Sequence, residues 1–364
     1  VIGMGQLAIA CGGTGGHLFP GLAVAEAVRR RGHEVSFFIS QKAVDRRALS
    51  GAGEEKNGIE IPAVGWSGVL GAGSFAVHFL SAVRKAGEEM RAKKVGALLG
   101  MGGFISGAAS VAARFGKIPY YLHESNAIPG RATRMLAKGA KKVFVGFAEC
   151  EAGLGGVKGT VTGTPVRNRL GRMGKEEALK KLGLHPHRHL VVVLGGSQGA
   201  RGLNEAMLRG LVALQSESQR IQILHLAGEA HAEKVRRGYE GSGFHTVVMG
   251  FCDEMDAVYG AAEVVVARSG AGTLAELAAC QVPSILVPFP AAAGDHQMAN
   301  ARAYAHEGAA EVIAEKYLEG SELGQRIARM LGDRIRCERM KKWAKAEDRP
   351  QAAEIIAEAI SHDL

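Results

Sequence analysis

Short apolar runs recur along the chain, each followed by glycines or small polar residues and then by a stretch with hydrophobic positions three and four apart. The runs fall at 7–11, 34–39, 95–100, 118–123 and 142–145, and again at 190–194, 221–227, 245–249, 263–267 and 284–287. Runs that are apolar throughout, rather than alternating, belong to sheets covered on both faces. Their succession with helical stretches such as 18–31 and 175–182 predicts parallel α/β layers. Two doubly wound parallel-sheet (Rossmann-like) domains facing a cleft are therefore expected. The crossing point lies at Gly163-Thr164-Pro165-Val166-Arg167, giving an N-terminal domain over 1–166 and a C-terminal domain over 167–344. Segment 345–364 ends in an amphipathic helix, 352–360, expected to return to the first domain.

Glycine loops stand where strands hand over to helices: Gly12-Gly13-Thr14-Gly15-Gly16-His17, Met101-Gly102-Gly103-Phe104, Gly195-Gly196-Ser197-Gln198-Gly199-Ala200-Arg201 and Ser269-Gly270-Ala271-Gly272. Small residues there let a ligand reach the unpaired N–H groups of a first helical turn, whose partial positive charge favours phosphate. A dinucleotide fingerprint is excluded. Counted from Gly13, its third glycine falls on Leu18, and the strand that should end in an acid ends Ile39-Ser40-Gln41. A Walker A loop is absent as well, because neither Gly116-Lys117 nor Gly174-Lys175 precedes Ser or Thr. Glu276 stands one turn past the last glycine loop, placed to accept hydrogen bonds from sugar hydroxyls, and Gln297 follows as a neutral amide. A nucleotide-sugar site is the reading that uses all of these; an ordinary strand-helix-strand unit with a surface Glu is the alternative.

His17 closes the first loop either as a base or as a phosphate-contacting or capping residue. His123-Glu124-Ser125-Asn126 ends a strand at the same face, where Asn126 or Ser125 reads as a ligand contact or a helix cap. His185-Pro186-His187-Arg188-His189 invites a metal reading, but no carboxylate or cysteine is close in sequence. No metal and no cofactor are expected.

Composition narrows the partner. The 364 residues carry a net charge of +9 with 5% aromatics, which fits a nucleotide, a diphosphate lipid or an anionic membrane and argues against a base-stacking nucleic-acid binder. Five cysteines without a CxxC pair indicate a reducing compartment, and no basic segment precedes the first apolar run, so no signal peptide is expected. Segment 95–113 lacks charge but holds five glycines, and reads as strand, loop and helix start rather than a membrane span. Within 66–94, Phe75, Phe79, Val83, Ala86 and Met90 recur at helical spacing, Leu80 broadens the stripe, and Trp66 precedes it. Arg84, Lys85, Arg91, Lys93 and Lys94 surround it. Such a helix faces its own core or lies in a lipid interface.

With GGTGGH, GMGGFISG, HESNAIPG, TGTPVR, GGSQGAR, ARSGAGTLAEL and DHQMANA in this order, the chain resembles the MurG family of bacterial peptidoglycan glycosyltransferases over nearly its whole length. The resemblance implies a two-domain glycosyltransferase fold of the B type. The activity implied is inverting, metal-independent transfer of N-acetylglucosamine from UDP-N-acetylglucosamine to the C4 hydroxyl of undecaprenyl-diphosphate-linked N-acetylmuramyl-pentapeptide. It further implies a peripheral position on the cytoplasmic face of the membrane and no nucleic-acid partner. Carried over by motif, Thr14, Gly15, Arg167, Ser197, Ala271, Gly272 and Thr273 attend the donor, Glu276 the ribose, Phe251 and Cys252 the uracil, and Gln297 the sugar. Gly13, Gly16, His17, Gly102, Gly103 and Asn126 fall on the acceptor side, with His17 and Asn126 as catalytic candidates. Trp66, Phe75, Phe79, Leu80, Lys93 and Lys94 become membrane contacts. The chain departs from the family pattern at Thr164, Ser125 and Cys252. A nucleotide-sugar 2-epimerase, a diacylglycerol glycolipid synthase and a non-catalytic nucleotide-sugar binder are the competing functions.

Overall fold

The structure, a computed structural model, describes residues 4–13, 15–63, 72–168, 170–196, 199–306 and 308–364. The chain folds into two compact units, Val1–Arg167 with Arg349–Leu364, and Asn168–Asp348. Arg167 therefore closes the first unit rather than opening the second, and its guanidinium lies 4.9 Å over the ring of Phe19.

Among the described residues, the first unit is built on seven parallel strands: β1 (Gln6–Ala10), β2 (Glu34–Ile39), β3 (Gly58–Glu60), β4 (Ala97–Gly100), β5 (Tyr120–Glu124), β6 (Lys142–Val145) and β7 (Thr160–Val161), in the order β3-β2-β1-β4-β5-β6-β7. Side chains of β1 alternate between two cores. Leu7 and Ile9 join Val24, Val28, Ile356 and Ile360 on one face. Ala8 and Ala10 join Ala86, Met90, Ile105 and Ala109 on the other. The helices Gly15–Arg30 and Ala352–Ser361 thus cover one side, and Ala72–Ala92 and Gly103–Phe115 the other.

The end of the chain returns later than the sequence reading placed it. Residues 345–347 still belong to the helix Arg334–Glu347, whose Met340 is buried in the second unit's core, and Asp348 leaves it in extended conformation at φ −67°, ψ 135°. From Arg349 on, the chain packs on the first unit. There Tyr121 Oη donates to Asp363 Oδ2 at 2.6 Å, and Glu354 pairs with Arg30 and Arg31.

Among its described residues, the second unit holds six parallel strands, β8 (His189–Leu194), β9 (Ile221–Leu226), β10 (His245–Met249), β11 (Val264–Ala267), β12 (Ser284–Leu286) and β13 (Ala310–Val312), in the order β10-β9-β8-β11-β12-β13. Val191, Val193, Ile223, Val264 and Val266 pack with Leu203, Met207 and Leu211 of the helix Arg201–Leu214.

The 66–94 stripe turns inward. Ala82, Ala86 and Met90 are fully buried, Phe79 and Val83 are half-buried against the same core, and the rings of Phe75, Phe79 and Phe104 cluster at 5.6–6.1 Å between centroids. Phe75 and Phe79 are therefore packing residues for Gly103–Phe115 rather than open membrane contacts. Leu80, about 100° further round the helix, is 65% exposed, and Val77, which the stripe did not include, is 66% exposed. Lys93 and Lys94 stand exposed just past the helix end, and Trp66 lies outside the described residues. Among the described residues no helix is long and apolar enough to cross a membrane.

Candidate active site

In a doubly wound sheet, ligands enter where neighbouring strands send their chains to opposite sides, which here means between β1 and β4 and between β8 and β11. Each pair carries two of the glycine loops at its carboxyl ends.

At the first of these points the loop after β1 passes directly over the end of β2. A Cβ on Gly12 would stand 2.3 Å from Ser40 N and 2.7 Å from Ile39 C, so only glycine fits. Gly13 N–H donates to Asp45 Oδ2 at 2.7 Å, while Lys42 Nζ donates to Gly13 O at 3.1 Å. This corrects the reading of Gly13 as an acceptor contact through its amide, because that donor already serves a carboxylate. The next backbone donors along the chain are those of the first turn of Gly15–Arg30. Thr14 lies outside the described residues.

The loop after β4 brings Gly102 and Gly103 against His17. Both glycines have positive φ, +105° and +78°, and a Cβ on them would meet the imidazole at 3.0 Å and 3.3 Å. The ring is thus seated against the bare backbone of residues 102–103, at the mouth of the crevice.

At the end of β5, Glu124 organises the HESN segment. Its Oε1 accepts from Asn126 N at 3.1 Å and Asn126 Nδ2 at 3.0 Å, and its Oε2 accepts from Gly130 N at 2.9 Å and Thr133 Oγ1 at 2.8 Å. The Asn126 amide plane is thereby fixed, with Nδ2 donating to the carboxylate. His123 is fully buried, its Nε2 3.1 Å from Gly163 O, and burial pushes its pKa down, so the ring is neutral. Its place is structural.

In the second unit the helix Ala271–Cys280 begins after Gly270, with Gly272 open to space where a Cβ would stand. Leu274, Leu277 and Ala278 are buried, which turns Glu276 to the half-exposed side. Tyr259, on the helix Met255–Ala261, donates its hydroxyl to Glu276 Oε2 at 2.8 Å. Buried Ser269 locks the loop by donating Oγ to Gln297 O at 2.7 Å, and its own carbonyl accepts from Asn300 Nδ2 at 3.2 Å. Gln297 Oε1 accepts from Phe289 N at 2.9 Å, which leaves the amide NH2 as its donating end. Arg268 holds the neighbouring turn, donating Nη1 to Val287 O at 3.1 Å and pairing Nη2 with Glu315 at 2.5 Å. Ala271, Gly272, Thr273, Glu276 and Gln297 thus come together at the ends of β11 and β12.

Under the glycine loop after β8 lies a buried chain of hydrogen bonds. Tyr239 Oη donates to His225 Nδ1 at 2.8 Å, His225 Nε2 to Asn204 Oδ1 at 3.0 Å, and Asn204 Nδ2 to Ala227 O at 3.1 Å. Burial lowers the His225 pKa to about 3, so the ring stays neutral and supports the loop without charge. Ser197 lies outside the described residues. Phe251 and Cys252 follow β10, at the far edge from β11, half-buried, with the Cys252 thiol pushed up by burial.

The histidine run sits elsewhere, at the start of β8 and so at the opposite edge of the sheet. His189 Nδ1 pairs with Glu263, a carboxylate from a neighbouring strand's approach that sequence proximity did not show. Among the described residues no three His, Cys, Asp or Glu side chains gather as a metal set. Asp45, Tyr259, Arg268 and Asn300 were missed as site-building residues. Arg268 and Asn300 stood inside quoted motifs, whereas Asp45 and Tyr259 come from other helices and leave no local signal.

Comparison with known proteins matches both units. Residues 7–145 match the glycosyltransferase family 28 N-terminal domain and residues 190–356 its C-terminal domain. The chain is 38% identical over 360 residues to the UDP-N-acetylglucosamine–N-acetylmuramyl-(pentapeptide) pyrophosphoryl-undecaprenol N-acetylglucosamine transferase of Halorhodospira halophila, covering 98% of each chain. It is 36% identical to the protein of the same description from Geobacter sulfurreducens, covering 97% of each. Among solved structures, Acinetobacter baumannii MurG superposes with a TM-score of 0.74 at 26% identity, covering 99% of this chain and 100% of that one. A putative UDP-N-acetylglucosamine 2-epimerase from Listeria monocytogenes reaches the same TM-score at 14% identity, which shows the shared fold alone. Matched in both units and along its length, the chain belongs to glycosyltransferase family 28, within the family of these N-acetylglucosamine transferases.

Proposed function

We propose that the protein transfers N-acetylglucosamine from UDP-N-acetylglucosamine to the C4 hydroxyl of undecaprenyl-diphosphate-linked N-acetylmuramyl-pentapeptide, with inversion and without a metal or cofactor. The observation that carries this reading is the full-length kinship to transferases of that description, joined to an anion-accepting helix start in each unit. A 2-epimerase has the fold but needs no second anionic substrate, so the first unit's helix start, glycine loops and histidine favour the transferase.

The chemistry is a single displacement. The acceptor hydroxyl attacks the anomeric carbon, its proton passes to a base, and the C1–O bond to the UDP phosphate breaks. The charge that develops on the departing diphosphate is stabilised by the first-turn N–H groups of Ala271–Cys280 and by the loop at Ser197, with Thr273 and Arg167 attending the phosphates. Fixed dipoles stand in here for a divalent ion. Glu276 takes the ribose hydroxyls, Gln297 presents its NH2 to the sugar, and Phe251 and Cys252 border the uracil. His17 is the base and Asn126 positions the acceptor hydroxyl. Incubation with radiolabelled UDP-N-acetylglucosamine tests the whole reading: label enters lipid only when the lipid-diphosphate-muramyl acceptor is present. Release of labelled free sugar or an epimer, without any lipid product, would overturn it.

The same reading places the first unit on an anionic membrane surface. The support is the exposed apolar pair Val77 and Leu80 on the helix Ala72–Ala92, 66% and 65% exposed, with Lys93 and Lys94 exposed just past the end of that helix. Each cation near an anionic surface adds about 1 kcal/mol, and exposed apolar side chains add interfacial burial. Vesicles containing anionic lipid are expected to sediment the wild type in low salt and release it in high salt, with Val77→Glu/Leu80→Glu binding several-fold more weakly. Equal sedimentation of both proteins would move the contact elsewhere.

A further inference from the structure

Asp45 is a fully buried carboxylate in the first turn of the helix Ala43–Gly51, away from every motif by which the site was recognised. Its Oδ2 collects three donors: Gly13 N at 2.7 Å, Ser40 N at 3.0 Å and Ser40 Oγ at 2.5 Å. Its Oδ1 is buried without a partner. A charged group is buried in this way only where the bonds to one oxygen are worth the loss of solvation at the other. Those bonds join the end of β2 to the glycine loop that leads into Gly15–Arg30. Lys42 holds the opposite side of the same peptide through Gly13 O at 3.1 Å. Gly12, wedged against Ser40, leaves the loop no other path.

We propose that Asp45 is a positioning residue for the acceptor half of the reaction. By fixing the Gly13 peptide it sets the direction in which the first-turn N–H groups and the His17 ring face the crevice. The inference rests on the reading of this crevice as the site of the lipid-diphosphate acceptor. Asp45 touches neither substrate. It acts through the loop, and a shift of the loop moves the His17 ring relative to the Gly102–Gly103 backbone, which it approaches so closely that a Cβ on either glycine would stand 3.0–3.3 Å from it.

The pattern of bonds selects the test. Because one oxygen takes all three donors, an asparagine can turn its carbonyl to them and put NH2 where Oδ1 now stands, so Asp45→Asn keeps the clamp and Asp45→Ala removes it. Two measurements are made on both variants: hydrogen exchange of the peptide spanning residues 11–18, and initial rates with each substrate varied. Asp45→Ala is expected to speed exchange in that peptide and to raise the acceptor KM about tenfold or more, with the donor KM within about twofold of wild type. Asp45→Asn is expected to restore both nearly to wild type. Unchanged exchange sinks the clamp. Faster exchange with kcat lowered and both KM values unchanged sinks the role in acceptor positioning and leaves a stability role. A wild type that transfers no sugar sinks the functional reading, and the exchange comparison then still decides whether Asp45 holds the loop.

Discussion

Glu276→Ala is expected to weaken UDP binding by about 1.5–3 kcal/mol, roughly ten- to a hundredfold, because a carboxylate accepting from ribose hydroxyls makes charge-assisted hydrogen bonds. The side chain stands on the half-exposed side of Ala271–Cys280, past the first turn of the helix, and Tyr259 Oη holds its Oε2 at 2.8 Å. Removing the carboxylate leaves that hydroxyl without this partner but keeps Leu274, Leu277 and Ala278 in the core, so the helix and the fold stand. Tyr259→Phe removes only the brace and is expected to weaken binding by about 1 kcal/mol, near fivefold. Calorimetric titration with UDP decides both. An affinity unchanged in Glu276→Ala would remove Glu276 from the ribose site, and a Tyr259→Phe effect as large as that of Glu276→Ala would mean that Tyr259 itself meets the ligand.

Much of the architecture was legible because its signals are local. Strand 34–39 is dominated by Val35, Phe37, Phe38 and Ile39 and reappears as β2 with the same limits, as do 142–145 in β6 and 245–249 in β10. What marks these is a group of three or four apolar residues opened by a polar one, Glu34, Lys142 or His245, which fixes the first position. The short strands β3, β7 and β13 were not seen: β7 is two residues, and β3 and β13 carry Glu60 and Glu311 within three, whereas the equally short β12 showed because Val287 extends its apolar run. The stripe of the helix Ala72–Ala92 was seen, but its direction was not. Spacing gives a face, and only the neighbouring helix Gly103–Phe115, with Phe104 meeting Phe75 and Phe79, decides what that face packs on.

The candidate site divides along the same line. Gly102, Gly103, Gly270 and Gly272 could be named from the sequence because a glycine after a strand has few other uses. Glu276 and Gln297 could be named because they follow a recognisable phosphate seat. Asp45 and Tyr259 could not, since each reaches its partner from a helix 17 to 32 residues away in sequence. The Gly13 amide shows the limit of the loop argument itself. A glycine loop before a helix advertises free N–H groups, yet one of these is already satisfied by a carboxylate from another element, and sequence periodicity carries no record of that.

His17→Ala is expected to lower turnover by about two to four orders of magnitude, the usual contribution of a positioned general base. The attacking hydroxyl is a poor nucleophile until its proton leaves. An imidazole is the side chain whose ordinary pKa suits that task near neutral pH. His17 stands at the start of Gly15–Arg30 with its ring against Gly102 and Gly103 and belongs to the first unit, whereas Glu276 and Gln297 belong to the second, so its loss should leave UDP affinity nearly intact. His17→Gln separates basicity from contact, because glutamine keeps a hydrogen-bonding group of similar reach but cannot take up the proton. A base predicts that both variants lose turnover alike and that kcat/KM no longer falls on the acid side of its pH profile. Near-normal turnover in His17→Gln would make the imidazole a substrate contact and hand the proton to water. A loss of UDP affinity in His17→Ala would instead assign the residue to the donor's phosphates.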